Sequence, residues 1–154
     1  MISYDRGYVM KKDHNVENKK LNYLHAEIEA QYHRSSLIFG ISDSVSIVLY
    51  SITDLGDGCL LSDICKNSGI SKQTINSAIR SLETDGMLRL NRADGRSKRV
   101  FLTEKGKELA KKTAARLMRA ELDAFDDWSE DEIAELIRLT EKYLDSFRAE
   151  IDRL

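Results

Sequence analysis

Leu61-Ser62-Asp63-Ile64-Cys65-Lys66-Asn67-Ser68-Gly69-Ile70-Ser71-Lys72-Gln73-Thr74-Ile75-Asn76-Ser77-Ala78-Ile79-Arg80-Ser81 is the stretch that decides the fold of this chain. It reads as a short helix, a break at Asn67-Ser68-Gly69, and a second helix that opens at the capping residue Ser71 and runs to about Asp85. Two helices that cross at a three-residue turn need a small residue at the crossing and a permissive one in the turn. Cys65 and Gly69 supply these, although Ser68 stands where an apolar residue is common. Ile64, Ile70, Ile75 and Ala78 then point inward and pin the second helix on the first, with Ile79 and Leu82 completing the stripe. That stripe fixes the opposite face as Gln73, Ser77, Arg80 and Thr84, flanked by Lys72 and Asn76, with no acidic residue before Glu83. Gln and Asn suit adenine edges, Arg suits guanine, and Ser suits either a base or a phosphate. An ordinary amphipathic helix mixes glutamate into its polar face, so this face predicts contact with DNA.

Beyond Gly86 the period changes. Met87, Leu88 and Leu90 precede, and Val100, Phe101 and Leu102 follow, a polar segment that contains Asp94-Gly95, which predicts a short β-hairpin. Arg89, Arg92, Arg96, Lys98 and Arg99 put five basic residues within eleven positions, against the single acid Asp94. Arginines at a hairpin tip suit a narrow minor groove, where negative potential is concentrated, while Asp94 is expected to hold the tip together by pairing with an arginine. The expected DNA contacts are therefore Ser71, Lys72, Gln73, Asn76, Ser77, Arg80, Arg92, Arg96, Lys98 and Arg99.

Outward from this centre the chain is helical. Leu21, Leu24, Ile28 and Tyr32 recur at helix spacing and predict a helix from about Val16 to Phe39, stopped near Gly40. Ser42 or Asp43 caps the next helix, whose apolar face is Val45, Val48, Leu49, Ile52 and Leu55 and whose end is Gly56-Asp57-Gly58. Thr103 is expected to cap one long helix that reaches toward Trp128. Ser129 and Glu132 fit a capping box for the last helix, which carries Ile133, Leu136, Ile137, Thr140, Leu144, Phe147 and Ile151 on one stripe. Such a stripe is too long for one small partner helix and predicts a second copy of the chain opposite it. The expected organisation is a loose arm over 1–15, a helical dimerisation region over 16–40 and 104–154, and a DNA-binding lobe over 41–103.

Composition bounds the rest. A chain of 154 residues buries about 68–70% of its extended surface and folds without disulfides or metals. The net charge of −2 hides a segregation: residues 1–70 hold 7 basic and 9 acidic residues, 71–120 hold 13 and 5, and 121–154 hold 4 and 12. A basic middle can present a positive face on an acidic protein. No uncharged run approaches the ~20 apolar residues of a membrane helix, and Met1–Arg6 shows no apolar signal segment, so a cytoplasmic protein without membrane contact is expected. His14, His25 and His33 have no cysteine or carboxylate at zinc spacing, and no metal or other cofactor is expected. Cys65 is explained by the helix crossing, and neither it nor Cys59 is read as a redox sensor. Neither a Ser-His-Asp set nor a phosphate loop is organised here, which argues against an enzyme.

The segment Leu61–Gly106 resembles the MarR (multiple antibiotic resistance regulator) type of winged-helix transcription factor. Asp94-Gly95-Arg96 followed by Val100-Phe101-Leu102-Thr103-Glu104-Lys105-Gly106 is similar to that family's Asp-x-Arg wing tip, second wing strand and Leu-Thr-x-x-Gly start of the next helix. Ile75 to Leu88 looks like its recognition helix running into the wing, and Ile41-Ser42 resembles its Leu-Thr helix start, though Val45 replaces a polar residue common there. The flanking helices match in order and length. The resemblance implies a mainly α fold with a small β-hairpin wing, in which a winged helix-turn-helix lobe is flanked by long N- and C-terminal dimerisation helices. It further implies a homodimer on double-stranded DNA with a pseudo-palindromic operator, usually as a repressor. In this family a small, often aromatic or anionic, effector binds where the dimerisation helices meet the DNA-binding lobe. Tyr32, His33, Arg34 and Tyr50 are the candidates for it, with Arg34 as carboxylate partner. The alternatives are a winged-helix protein-interaction module that docks an acidic partner without DNA, and an enzyme of an unrecognised helical type. The basic wing together with the acid-free helix face favours the DNA regulator.

Overall fold

The computed structural model describes residues 13–92 and 97–154. The elements among them are α1 (Asn15–Phe39), α2 (Asp43–Leu55), α3 (Leu61–Asn67), α4 (Lys72–Thr84), β1 (Leu88–Arg92), β2 (Lys98–Leu102), α5 (Glu104–Lys112), α6 (Ala114–Asp123) and α7 (Glu130–Ile151). Most of the expected N-terminal arm lies outside the described residues, as do Asp94, Gly95 and Arg96 of the wing tip.

Local chemistry sets the helix ends. Gly40 takes a left-handed conformation (φ 67°) that lets its N–H and that of Ile41 return to the carbonyls of Leu37 and Ser36. Of the two candidate caps for α2, Ser42 does the capping, its hydroxyl accepting the Val45 N–H at 3.3 Å. Ser71 caps α4 by accepting the Thr74 N–H at 3.1 Å, and Thr103 caps α5 by accepting the Gly106 N–H at 3.1 Å.

Helix α2 is the hub, packed on α1, α3, α4, α5 and α6. Its Val48, Leu49 and Ile52 meet Ile64 of α3, Ile75, Ala78, Ile79 and Leu82 of α4, Leu88 and Val100 of the hairpin, and Ala110 and Ala114 at the α5–α6 junction. Burying each large aliphatic side chain contributes roughly 1.5–3 kcal/mol, so this cluster holds α4 and the hairpin to one scaffold. Ile70 lies at its margin, as do Val45 and Leu55 of the expected α2 stripe.

The hairpin pairs antiparallel in the register Leu88↔Leu102 to Arg92↔Lys98. It is also sewn to the α2–α3 loop, which the sequence presents only as a helix terminator. The Gly58 N–H donates to Val100 O and the Val100 N–H to Cys59 O, both at 2.9 Å. Asp57 Oδ1 accepts the Leu102 N–H at 2.8 Å. Gly58 (φ 86°) comes so close to the Phe101 ring that a Cβ there would stand 2.8 Å from it. The wing base is thereby fixed to the core on both sides.

The single helix expected from Thr103 toward Trp128 is instead two, a correction with a clear physical basis. Thr113 is buried, leaves the helical region (φ −123°, ψ −85°) and gives its hydroxyl to Leu109 O at 2.8 Å. A threonine hydroxyl that bonds back to an earlier carbonyl competes with the helix ladder and bends it. The bend turns α6 back onto α2.

The outer helices are nearly free of burial. The 25-residue α1 buries only Ser36, and α7 buries no residue at all. Along α7, Leu136, Ile137, Leu144, Phe147 and Ile151 are 42–53% exposed. The capping box of α7 is complete: Ser129 Oγ accepts the Glu132 N–H at 3.2 Å, and Glu132 Oε2 accepts the Ser129 N–H at 2.9 Å.

Candidate nucleic-acid interface

Because Ile75, Ala78, Ile79 and Leu82 are buried, α4 has one free face. Lys72, Gln73, Ser77, Arg80 and Thr84 are exposed on it, and Asn76 is half-buried at its edge. No acidic residue lies in its first turn, so the positive end of the helix dipole and its free amide groups are unopposed, an arrangement that favours phosphate. Ser71 shares its oxygen between the Thr74 N–H and the Thr74 hydroxyl, so its first role is to hold that end in shape.

The wing stands beside this end. Lys72 and Lys98 line one shallow groove with Leu61, Ser62, Cys65 and Ser97. The structure therefore joins the start of α4 to the wing base, and adds Ser62 of α3, whose polar exposed position is an ordinary surface feature in the sequence. Arg92 and Lys98 are exposed partners across the last rung of the hairpin. None of Lys72, Arg80, Arg92 and Lys98 is ion-paired with an acid among the described residues. Arg99 differs: its Nη1 donates to Gly58 O at 2.8 Å, tying the wing to the α2–α3 loop. Arg89 lies over the Phe101 ring, 5.4 Å from its centroid.

A second feature sits behind the helix-turn-helix. A cleft of about 660 Å³ opens between the end of α1, the start of α2, the α3–α4 turn and α6. Tyr32, His33 and Tyr50 line it as expected, but Arg34 does not. The α1 residues facing the cleft are Glu29, Tyr32, His33 and Ser36, one helical face that leaves Arg34 pointing away and exposed. The expected carboxylate partner is thus absent from the lining. In its place is Glu121 of α6, whose Oε1 accepts the Tyr32 hydroxyl at 2.7 Å and whose Oε2 accepts the Tyr50 hydroxyl at 2.6 Å. Glu121 lies 89 and 71 residues from those tyrosines, so no local spacing could reveal it. The hydrogen bond to Glu121, reinforced by burial, pushes the Tyr32 hydroxyl up to about 12, and burial with the same carboxylate raises Tyr50 as well. His33 Nδ1 donates to Asp43 Oδ2 at 2.8 Å, which holds the Asp43 carboxyl below its ordinary range.

The other reactive side chains are structural. His25 packs against Tyr143 with ring centroids 6.1 Å apart. Burial raises the Cys59 thiol, which keeps it in its less reactive protonated form.

A helix-turn-helix followed by a basic hairpin braced on the same core defines a winged helix-turn-helix fold. The model of the MarR family matches residues 39–97. The fold is shared with AbsC, a MarR family transcriptional regulator from Streptomyces coelicolor, at a TM-score of 0.73 and 18% identity over 93% of this chain and 99% of that one. A MarR transcriptional regulator from Methanosarcina mazei aligns at a TM-score of 0.60 and 26% identity, over 86% and 98% of the two chains. BpsR of Bordetella bronchiseptica, whose DNA binding is regulated by 6-hydroxynicotinic acid, aligns at a TM-score of 0.55 and 21% identity, over 79% and 98%. The sequence matches none of the curated proteins. Over residues 39–97 the chain is thus similar to the MarR family, and its fold is that of the winged helix-turn-helix regulators. Among the described residues no single helix is long and apolar enough to cross a membrane.

Proposed function

We propose that the protein is a homodimeric, sequence-specific repressor that binds a pseudo-palindromic operator and is released by a small effector. The observation that carries the DNA-binding part is the exposed face of α4, with Lys72, Gln73, Asn76, Ser77 and Arg80 and no acid in its first turn, set beside Lys98 and Arg92 of the wing. In this reading Gln73, Asn76 and Arg80 read base edges in the major groove, Lys72 and Ser77 hold phosphates, and Arg92, Lys98 and Arg96 follow the backbone into the adjacent minor groove. Arg99 acts chiefly by bracing the wing. The alternative of a protein-docking winged helix leaves both the acid-free helix face and the basic wing without a purpose.

Dimerisation is supported by the unburied apolar residues of α1 and α7. Val16, Tyr23, Leu24 and Ile28 of α1 are exposed, as is the α7 stripe from Leu136 to Ile151, and nothing among the described residues buries them. A two-fold axis through these helices sets two copies of α4 in successive major grooves, about 34–36 Å apart. Effector control is supported by the cleft, whose wall includes the helix-turn-helix turn itself.

Selection of tight binders from a random duplex pool tests this function. It should enrich a two-fold-symmetric site with half-sites about one helical turn, roughly 10 base pairs, apart. Recovery of an unenriched pool, or of sites with no symmetry, contradicts it.

A further inference from the structure

We propose that the cleft behind the helix-turn-helix takes a small organic cation, a protonated amine or amidine on a flat apolar body, with its charge seated on the Glu121 carboxylate. The inference rests on the regulator reading only for its consequence, not for the chemistry of the cleft.

The lining selects the charge. Its acidic groups are Glu29, Asp43 and Glu121, and its single basic side chain, His33, is already bonded to Asp43. Glu121 enters none of the ion pairs formed among the described residues. Each of its oxygens accepts one tyrosine hydroxyl, and a carboxylate oxygen has two lone pairs, so one acceptor position remains on each. Two parallel N–H donors of an amidinium match that pair in the fork geometry that makes such bonds strong. An aromatic carboxylate would meet the same oxygens with like charge, and the one basic side chain of the lining, His33, is already engaged by Asp43.

The remaining walls suit the body of such a ligand. Ile47, Ile70 and Leu117 are apolar, and Tyr32 and Tyr50 place aromatic rings beside the carboxylate, the surroundings that organic ammonium groups favour. The volume of about 660 Å³ falls within the ~300–1,000 Å³ of small-molecule sites. The floor is the turn residues Asn67, Ser68, Gly69 and Ile70, so an occupant touches the segment that orients α4. An occupant that prefers one spacing of that turn from α1 and α6 shifts DNA affinity by that preference.

The test uses three probes of one size on the full chain without DNA: benzamidinium, neutral benzamide and benzoate, followed by amide chemical shifts of residues 67–70. Benzamidinium should move these signals and bind at least about tenfold more tightly than the other two. In Glu121→Gln, which keeps an acceptor for the tyrosines but loses the charge, its affinity should fall about tenfold. Benzoate binding as tightly as benzamidinium, no response at residues 67–70 to benzamidinium, or undiminished binding by Glu121→Gln would overturn the proposal. The wild-type comparison needs no substitution, so it stands even if the variant is unstable. A chain that binds benzamidinium but no duplex DNA would sink the regulator reading and leave the ligand class intact.

Discussion

Gly106 shows how much one absent side chain can decide. It stands in the first turn of α5, where alanine ordinarily gains up to about 1 kcal/mol over glycine. Here a Cβ would lie 1.8 Å from the Met87 carbonyl oxygen and 2.8 Å from its carbon. Both atoms are backbone, so either α5 or the start of β1 must move, and the overlap outweighs the gain in propensity. Gly106→Ala should therefore lose at least ~2 kcal/mol in a urea denaturation midpoint measurement. At the same scale the wing's basic residues separate into two kinds. Arg99→Ala removes the bond to Gly58 O and should lower both stability, by about 1 kcal/mol, and DNA affinity. Lys98→Ala removes only an exposed charge, so stability should stay within ~0.5 kcal/mol while affinity falls evenly across DNA sequences and the salt slope shrinks by about 1. Parallel melts and anisotropy titrations of the two variants distinguish them. The sequence displays both as equivalent positives in one basic run, because nothing local marks the carbonyl that Arg99 caps.

At the scale of elements, the readable features are those in which neighbouring residues carry the cause. Gly40, Ser42, Ser71, Gly86 and Ser129 each mark a helix end by local chemistry, and each end lies within a residue or two of that mark. The alternation around Asp94-Gly95 likewise locates both strands of the wing. The break at Thr113 has no such marker. No glycine or proline stands there, and threonine leaves the helix because burial and the packing of α6 on α2 override a compatible local sequence. The same limit hid the stitching of Asp57 and Gly58 to β2 and the joining of Glu121 to two tyrosines, all of them long-range contacts. The α7 cap offers a clean check on local chemistry, since Ser129 and Glu132 are exposed and touch little else. Ser129→Ala should weaken the start of α7 by about 1 kcal/mol, seen as faster amide exchange across residues 130–134 with the core protection unchanged.

At the scale of the whole molecule, charge and apolar surface are sorted into separate regions. The basic segment 71–120 contains α4 and the wing, while the last 34 residues, with 12 acids and 4 bases, carry the uncovered apolar stripe. In the proposed dimer that stripe is the seam, and an aspartate in it places an unpaired carboxylate in an apolar contact at a cost of several kcal/mol. Leu144→Asp and Phe147→Asp should each give half the wild-type mass by light scattering, with operator binding lost alongside. An intact dimer in both variants would place the seam elsewhere.

The central claim is that the acid-free face of α4 and the neighbouring wing form a DNA-binding surface, and the salt dependence of binding tests it most directly. If each subunit of a dimer neutralises about four phosphates, the logarithm of the binding constant should fall against the logarithm of salt with a slope near −7. A slope shallower than about −2 would contradict the account, because a surface that displaces so few counterions is not one on which Lys72, Arg80, Arg92 and Lys98 meet the phosphate backbone.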